Sequence, residues 1–187
     1  MAVHDAPEYA MTKGLVDSFH QNTIFYMSKP EEHIISHENI HILQARSLSN
    51  MYALINFNPN KLIDEYQDDS GIYTTEIKKY LKYLCKQSEL EARLHELVVS
   101  IYRREGRLPQ NFDKTIQAIV KQERVTRSPD IDYDFFLITG FFIDSDRMDF
   151  FLDVLIPLLY SNLISYYGDN ISSYKLKRNA LKMASNY

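Results

Sequence analysis

Residues 37–41 read His-Glu-Asn-Ile-His. In a helix, residues four apart share one face, so both imidazoles can reach one metal ion. The intervening Glu38 is offset by about 100° and can reach a water held by that ion. A zinc ion lowers the pKa of such a water, and the carboxylate takes its proton as the water attacks a carbonyl. The spacing therefore predicts metal ligands at His37 and His41 and a general base at Glu38.

A catalytic zinc takes a third protein ligand and keeps one position open. The stretch 74–104 reads as a second long helix. Its inward stripe is Ile77, Tyr80, Leu81, Leu84, Ser88, Leu94, Val98 and Tyr102. Glu91 falls in the centre of that stripe, His95 lies one turn further on, and Glu89 and Glu96 fall opposite. A carboxylate on an apolar face requires a cation or strong donors. Zinc held by the two histidines would supply the cation, and an arginine would serve as well. Glu91 is thus the first candidate for third ligand, with Glu89, Glu65 and Asp64 as alternatives. His95 could bind a developing oxyanion or orient Glu91. His33 continues the i, i+4, i+8 histidine series, but it stands about 12 Å along the axis from His41, too far for one ion to bind both.

With those residues in place, the sequence resembles the zincin metallopeptidases, specifically the gluzincin type. The matching residues are His37, Glu38 and His41, with Glu91 in the segment SELEARLHE. The run HENIHILQ, with Gln44 one turn after His41, is similar to that of small bacterial and phage-type zincins. The resemblance spans roughly residues 28–105. It implies zinc as cofactor, a peptide or protein as substrate, and hydrolysis as the reaction. In gluzincins a sheet precedes the motif and its edge strand holds the peptide. Here 36 residues precede His37, with one short strand expected over Asn22–Met27. His95 stands where that class often has an acidic residue.

The elements that position these residues follow from punctuation. Ser28 and Glu31 fit a capping box, so the first helix should run from residue 28 to about Phe57, before Asn58-Pro59-Asn60. In that phase His37 and His41 align with Ile34, Ala45, Leu48, Tyr52 and Ile55, pointing inward. A short helix is expected over Lys61–Tyr66 and a loop at QDDSG. Thr74 or Thr75 should cap the second long helix, and Gly106 and Pro109 should end it. Further helices are expected over Asn111–Val125, 145–167 (offset by Pro157) and Ser172–Ser185, with a short apolar element at Tyr133–Phe142 and a break at Gly168-Asp169-Asn170. Arg103, Arg104 and Arg107 read as a solvated helix end.

Composition bounds the rest. The chain has 187 residues, 45% hydrophobic and 25% charged, which is globular rather than disordered. Five glycines is low, and favours helices over tight turns. The expected fold is mainly α: one compact helical domain over 1–187, with a short N-terminal strand or hairpin, a metal-binding helix pair in 28–105 and a helical part in 111–187. The net charge of −4 offers no phosphate-neutralising surplus, so general nucleic-acid binding is not expected. A single cysteine, Cys85, precludes an intrachain disulfide framework. The N-terminus lacks a signal pattern, and acidic residues interrupt the apolar stretch 135–164, so no transmembrane segment is expected and a cytoplasmic location is. The alternative to an enzyme is a helical interaction or regulatory protein whose histidines are structural or bind metal only. That reading calls for an exposed apolar patch, on the segment Phe135–Tyr167.

Overall fold

The computed structural model describes residues 14–16, 24–26, 32–46, 49–106 and 133–187, and these are mainly helical. The chain divides between Leu48 and Ser49 into two compact units. The capping box at Ser28 and Glu31 and the helix expected over Asn111–Val125 lie outside the described residues, as does Arg107.

The first unit holds a hairpin and one helix. Strand β1, Gly14–Val16, pairs antiparallel with β2, Ile24–Tyr26, so that Leu15 faces Phe25 across the ladder. The β-formers at 22–27 thus form the expected strand. Helix α1, Glu32–Arg46, carries the His-Glu-x-x-His run and packs on β1.

The expected continuation of α1 to Phe57 does not occur. Ser49 and Asn50 are not helical, and a new one-turn helix, α2, spans Met51–Leu54. The physical reason is local. Asn50 prefers a cap to a helix interior, and its side chain accepts from Ala53 N at 3.1 Å. The inward stripe drawn through residue 55 therefore stops early, and Ala45, placed on it by phase, is exposed.

The second unit is helical throughout its described residues. Helix α3, Pro59–Glu65, starts from Asn58, whose side chain caps Lys61 N. Helix α4, Thr75–Leu84, starts from Thr74, whose hydroxyl caps Ile77 N. Helix α5, Gln87–Glu105, follows and ends at Gly106. Gly106 has φ 70°, a left-handed geometry that a Cβ disfavours, so the glycine is what lets the chain leave the helix there. Helices α6, Tyr133–Asp144, and α7, Met148–Tyr166, make an apolar pair, and α8, Asn170–Ala184, closes the chain from an Asp169 cap.

One long helix was expected over 74–104, but the chain breaks at Cys85 and Lys86. Lys86 is extended, at φ −58° and ψ 142°. That break resets the helical phase, so a stripe counted straight through it fails. Tyr102, placed inward, is half exposed, and Glu89, placed outward, is buried.

Helix α7 is the core element of this unit. From Phe151 to Ile164 every residue except Asp153 is buried, the pattern of a helix covered on all sides. It packs on α5 and α8, while α4 packs on α6. Among the described residues, Met148–Tyr166 is the one stretch long and apolar enough to cross a membrane by length and composition, yet 78% of its apolar window is buried. Its middle, Phe151–Leu155, is a π-helical turn, and Ile156 N reaches back five residues to Phe151 O. Pro157 follows directly. A proline ring collides with the carbonyl four residues earlier, here that of Asp153, and the widened turn relieves that collision.

Aromatic packing fills the core around it. Phe142 stacks on Phe151 at 4.5 Å, and Phe141 takes Tyr66 and Tyr73 edge-on at 5.5 and 5.7 Å. Tyr73 also donates to Asp144 at 2.7 Å, fastening the loop before α4 to the end of α6. The segment Phe135–Tyr167 is mostly buried, with Phe136 and Tyr167 its exposed large apolar side chains.

Cys85 is buried, and burial pushes its thiol up to about 12. Only a thiolate reacts readily with an alkylating agent. Native protein at pH 7.5, roughly a unit below the ordinary thiol value, should therefore resist iodoacetamide, and label at Cys85 only once urea unfolds it. Full labelling of the native chain within minutes would show that this core opens.

Candidate metal centre

Helix α1 turns the sequence motif into a geometry. His37 is buried and His41 half-buried on one face. Their rings meet edge to face at a centroid distance of 4.8 Å, with the two Nε2 atoms 3.2 Å apart. Two nitrogens on one tetrahedral zinc, each at about 2.05 Å, stand about 3.3 Å apart. The separation in α1 suits a shared ion. It also lets one ring N–H donate to the other ring, so the geometry alone is permissive.

Two flanking residues shape this face. Gln44 lies one turn on, with Oε1 2.6 Å from His41 Nδ1. Glu38 is buried beside His37. Ile40, almost fully buried, anchors the helix between the two histidines. Nothing is described of the His33 side chain.

In the second unit, the carboxylates considered as a third ligand fall into distinct environments. Asp64 pairs with Lys82 at 2.5 Å and Glu65 approaches Lys61 at 3.8 Å. Both acids are more than half exposed, at 61% and 65%, so these are solvated ion pairs, one from α3 to α4 and one within α3. Glu91 is 1% exposed on α5, as its sequence position implied. Its Oε1 accepts from Gln87 Nε2 at 2.8 Å and from Asn162 Nδ2 at 3.0 Å. Of the strong donors that a buried carboxylate requires, two are therefore neutral amides. Glu89, in the first turn of α5, is also buried. His37 and His41 are described side chains of the first unit able to share a metal ion.

His95 is half-buried one turn after Glu91, and its Nδ1 shares a hydrogen bond with the Tyr167 hydroxyl. Burial of that hydroxyl raises its pKa above the ordinary tyrosine value. Asn162 Nδ2, which serves Glu91, also donates to the Tyr166 hydroxyl at 2.9 Å. The polar side chains Glu91, Asn162 and Tyr166 are thus tied together between α5 and α7. Arg93 reaches Asp134 at 2.9 Å, and Tyr80 donates to the same carboxylate at 2.8 Å.

Sequence reasoning missed Gln87 and Asn162. Gln87 was hidden by the unforeseen break before α5. Asn162 sits on a helix read only as apolar, and its one available signal was a polar amide inside a fourteen-residue buried stretch. No family model matches the chain, and neither the curated proteins nor the solved structures include one that matches it.

Proposed function

We propose that this protein is a zinc-dependent hydrolase, most simply a metallopeptidase, with His37 and His41 as metal ligands and Glu38 as general base. The observation that carries the reading is the pair of Nε2 atoms 3.2 Å apart on a helix that also buries a glutamate at the second position of the motif. Two imidazoles and a carboxylate make a borderline-soft donor set that suits zinc better than magnesium or calcium.

A carboxylate completes the ligand set in this proposal, with Glu91, Glu89, Glu65 and Asp64 as its candidates. Glu91, the first candidate from the sequence, already accepts two amide N–H groups within its own unit, which gives it a structural task. A zinc ion bound there supplies a Lewis acid that polarises a carbonyl. Glu38 accepts a proton from the attacking water and returns it to the leaving amine. His95 is retained as a candidate for the oxyanion, with Tyr167 fixing its ring. The hairpin β1–β2 packed on the motif helix supports a peptide substrate, because an extended peptide adds most readily to a strand edge. A reducing, cytoplasmic setting accords with one buried cysteine.

The test is metal analysis of protein purified without a histidine tag. The expected result is about one zinc per chain, reduced at least tenfold in His37→Ala and in His41→Ala, with helical circular dichroism unchanged. A wild-type chain free of zinc after dialysis against micromolar zinc would end the proposal. The non-enzymatic reading would then take over, with the histidine pair joined by a hydrogen bond.

A further inference from the structure

Resting on the metal-binding reading above, we propose that Gln44 is a positioning residue that fixes the tautomer of His41. The carboxamide oxygen lies 2.6 Å from His41 Nδ1, and a carbonyl oxygen can only accept. With that oxygen facing it, Nδ1 is the atom that carries the proton in this proposal. A neutral imidazole has one N–H, so its lone pair is placed on Nε2, the atom that stands 3.2 Å from His37 Nε2. Gln44 thus makes His41 present a ligand atom rather than an N–H on the side where a cation would sit.

Helix geometry explains why this residue can do so. Gln44 is three residues after His41, on the same face of α1, and both side chains are half-buried. The hydrogen bond is therefore shielded in part from water, and its partner is supplied by the same rigid element. Metal-bound histidines commonly donate their second N–H in this way, and losing that partner weakens metal binding about 10–100-fold. The choice of a neutral amide has its own consequence. A carboxylate partner would push electron density into the imidazole, whereas an amide orients the ring and leaves the ion more electrophilic, as a Lewis acid requires.

The experiment uses the full chain with 15N-labelled histidine, metal-free, at a pH about two units above the ordinary imidazole value. Long-range 1H–15N correlation then reads the tautomer of each ring. In the wild type, His41 should be the Nδ1–H form. Gln44→Leu should move it towards Nε2–H, and Gln44→Glu, which still accepts from Nδ1, should keep it. In a parallel titration with cobalt(II), Gln44→Leu should bind about 10–100-fold more weakly than wild type. Gln44→Glu should bind at least as tightly. Circular dichroism of both variants checks that the fold is intact.

An Nε2–H ring in the wild type, or a tautomer indifferent to Gln44→Leu, would overturn the assignment whether or not metal binds. The first of these results would mean that the amide is turned round, with its NH2 donating to Nδ1. The expected tautomer pattern in a wild-type chain that binds no cobalt would support the lock and remove the metal reading instead, so the two failures are separable.

Discussion

Glu38→Gln should retain one zinc per chain and lose hydrolytic activity by about 10²–10⁴-fold, the contribution of a positioned general base. Glutamine matches glutamate in shape and can still accept hydrogen bonds, but it cannot take a proton at neutral pH. The proposed ligands His37 and His41 are one residue before and three after, on a helix whose turns this substitution does not disturb. Glu38 is buried, so an isosteric replacement also avoids opening a void. The split between retained metal and lost turnover is the diagnostic. A structural glutamate would lose both through unfolding, and an irrelevant one would lose neither. The measurement is cleavage of a quenched fluorescent peptide library, with zinc quantified on the same samples. A variant as active as the wild type would remove Glu38 from the chemistry. A zinc-loaded wild type that cleaves no peptide would point the site towards a different carbonyl substrate or a binding role.

How much of this was legible beforehand depends on the range of the interaction involved. The histidine pair was legible because it is local: an i, i+4 spacing inside one helix carries its own geometry. The cap at Thr74 and the stop at Gly106 were legible for the same reason, since each acts within one turn, whereas Asn58 and Asp169 were read only as parts of breaks and turn out to be caps. The hairpin strand was readable from the β-formers at 22–27. What failed was phase across a break. Residues 74–104 looked like one helix because nothing at Cys85-Lys86 is a strong breaker. The chain nonetheless turns there, and Tyr52 in the α2 turn donates to the Cys85 carbonyl that the turn exposes, at 2.9 Å. That partner is 33 residues away, and no local rule could supply it. The same holds for Asn162, 71 residues from the carboxylate it serves. Burial of Glu91 was inferable from its place on an apolar stripe, but the identity of its donors was not, because amides, arginine and zinc all answer the same electrostatic need.

Those donors set the second large effect. Glu91→Leu should destabilise the chain by about 2–4 kcal/mol in urea unfolding. The carboxylate is the acceptor for two buried amide N–H groups, and a buried donor stripped of its acceptor costs about 1–3 kcal/mol. An opposing term exists, since leucine removes the desolvation cost of a buried charge. It does not win here, because Gln87 and Asn162 remain in place and polar. Gln87 holds further bonds that depend on its orientation. Its Nε2 donates to Ser49 O at 2.7 Å, and its Oε1 accepts from Met51 N at 2.7 Å, satisfying the first turn of α2. Releasing the Glu91 end leaves that amide to choose between partners, so the loss should spread to α2. Glu91→Gln should cost less, about 1 kcal/mol, because one oxygen survives and only the surplus NH2 is misplaced. Zinc measured on the same variant tests Glu91 as a ligand: a residue with only a structural task keeps zinc as Gln, and loss of zinc would restore Glu91 to the site that its sequence position first suggested. A Glu91→Leu protein as stable as the wild type would show that these amides find other acceptors, and that the α5–α7 contact owes its strength to hydrocarbon alone.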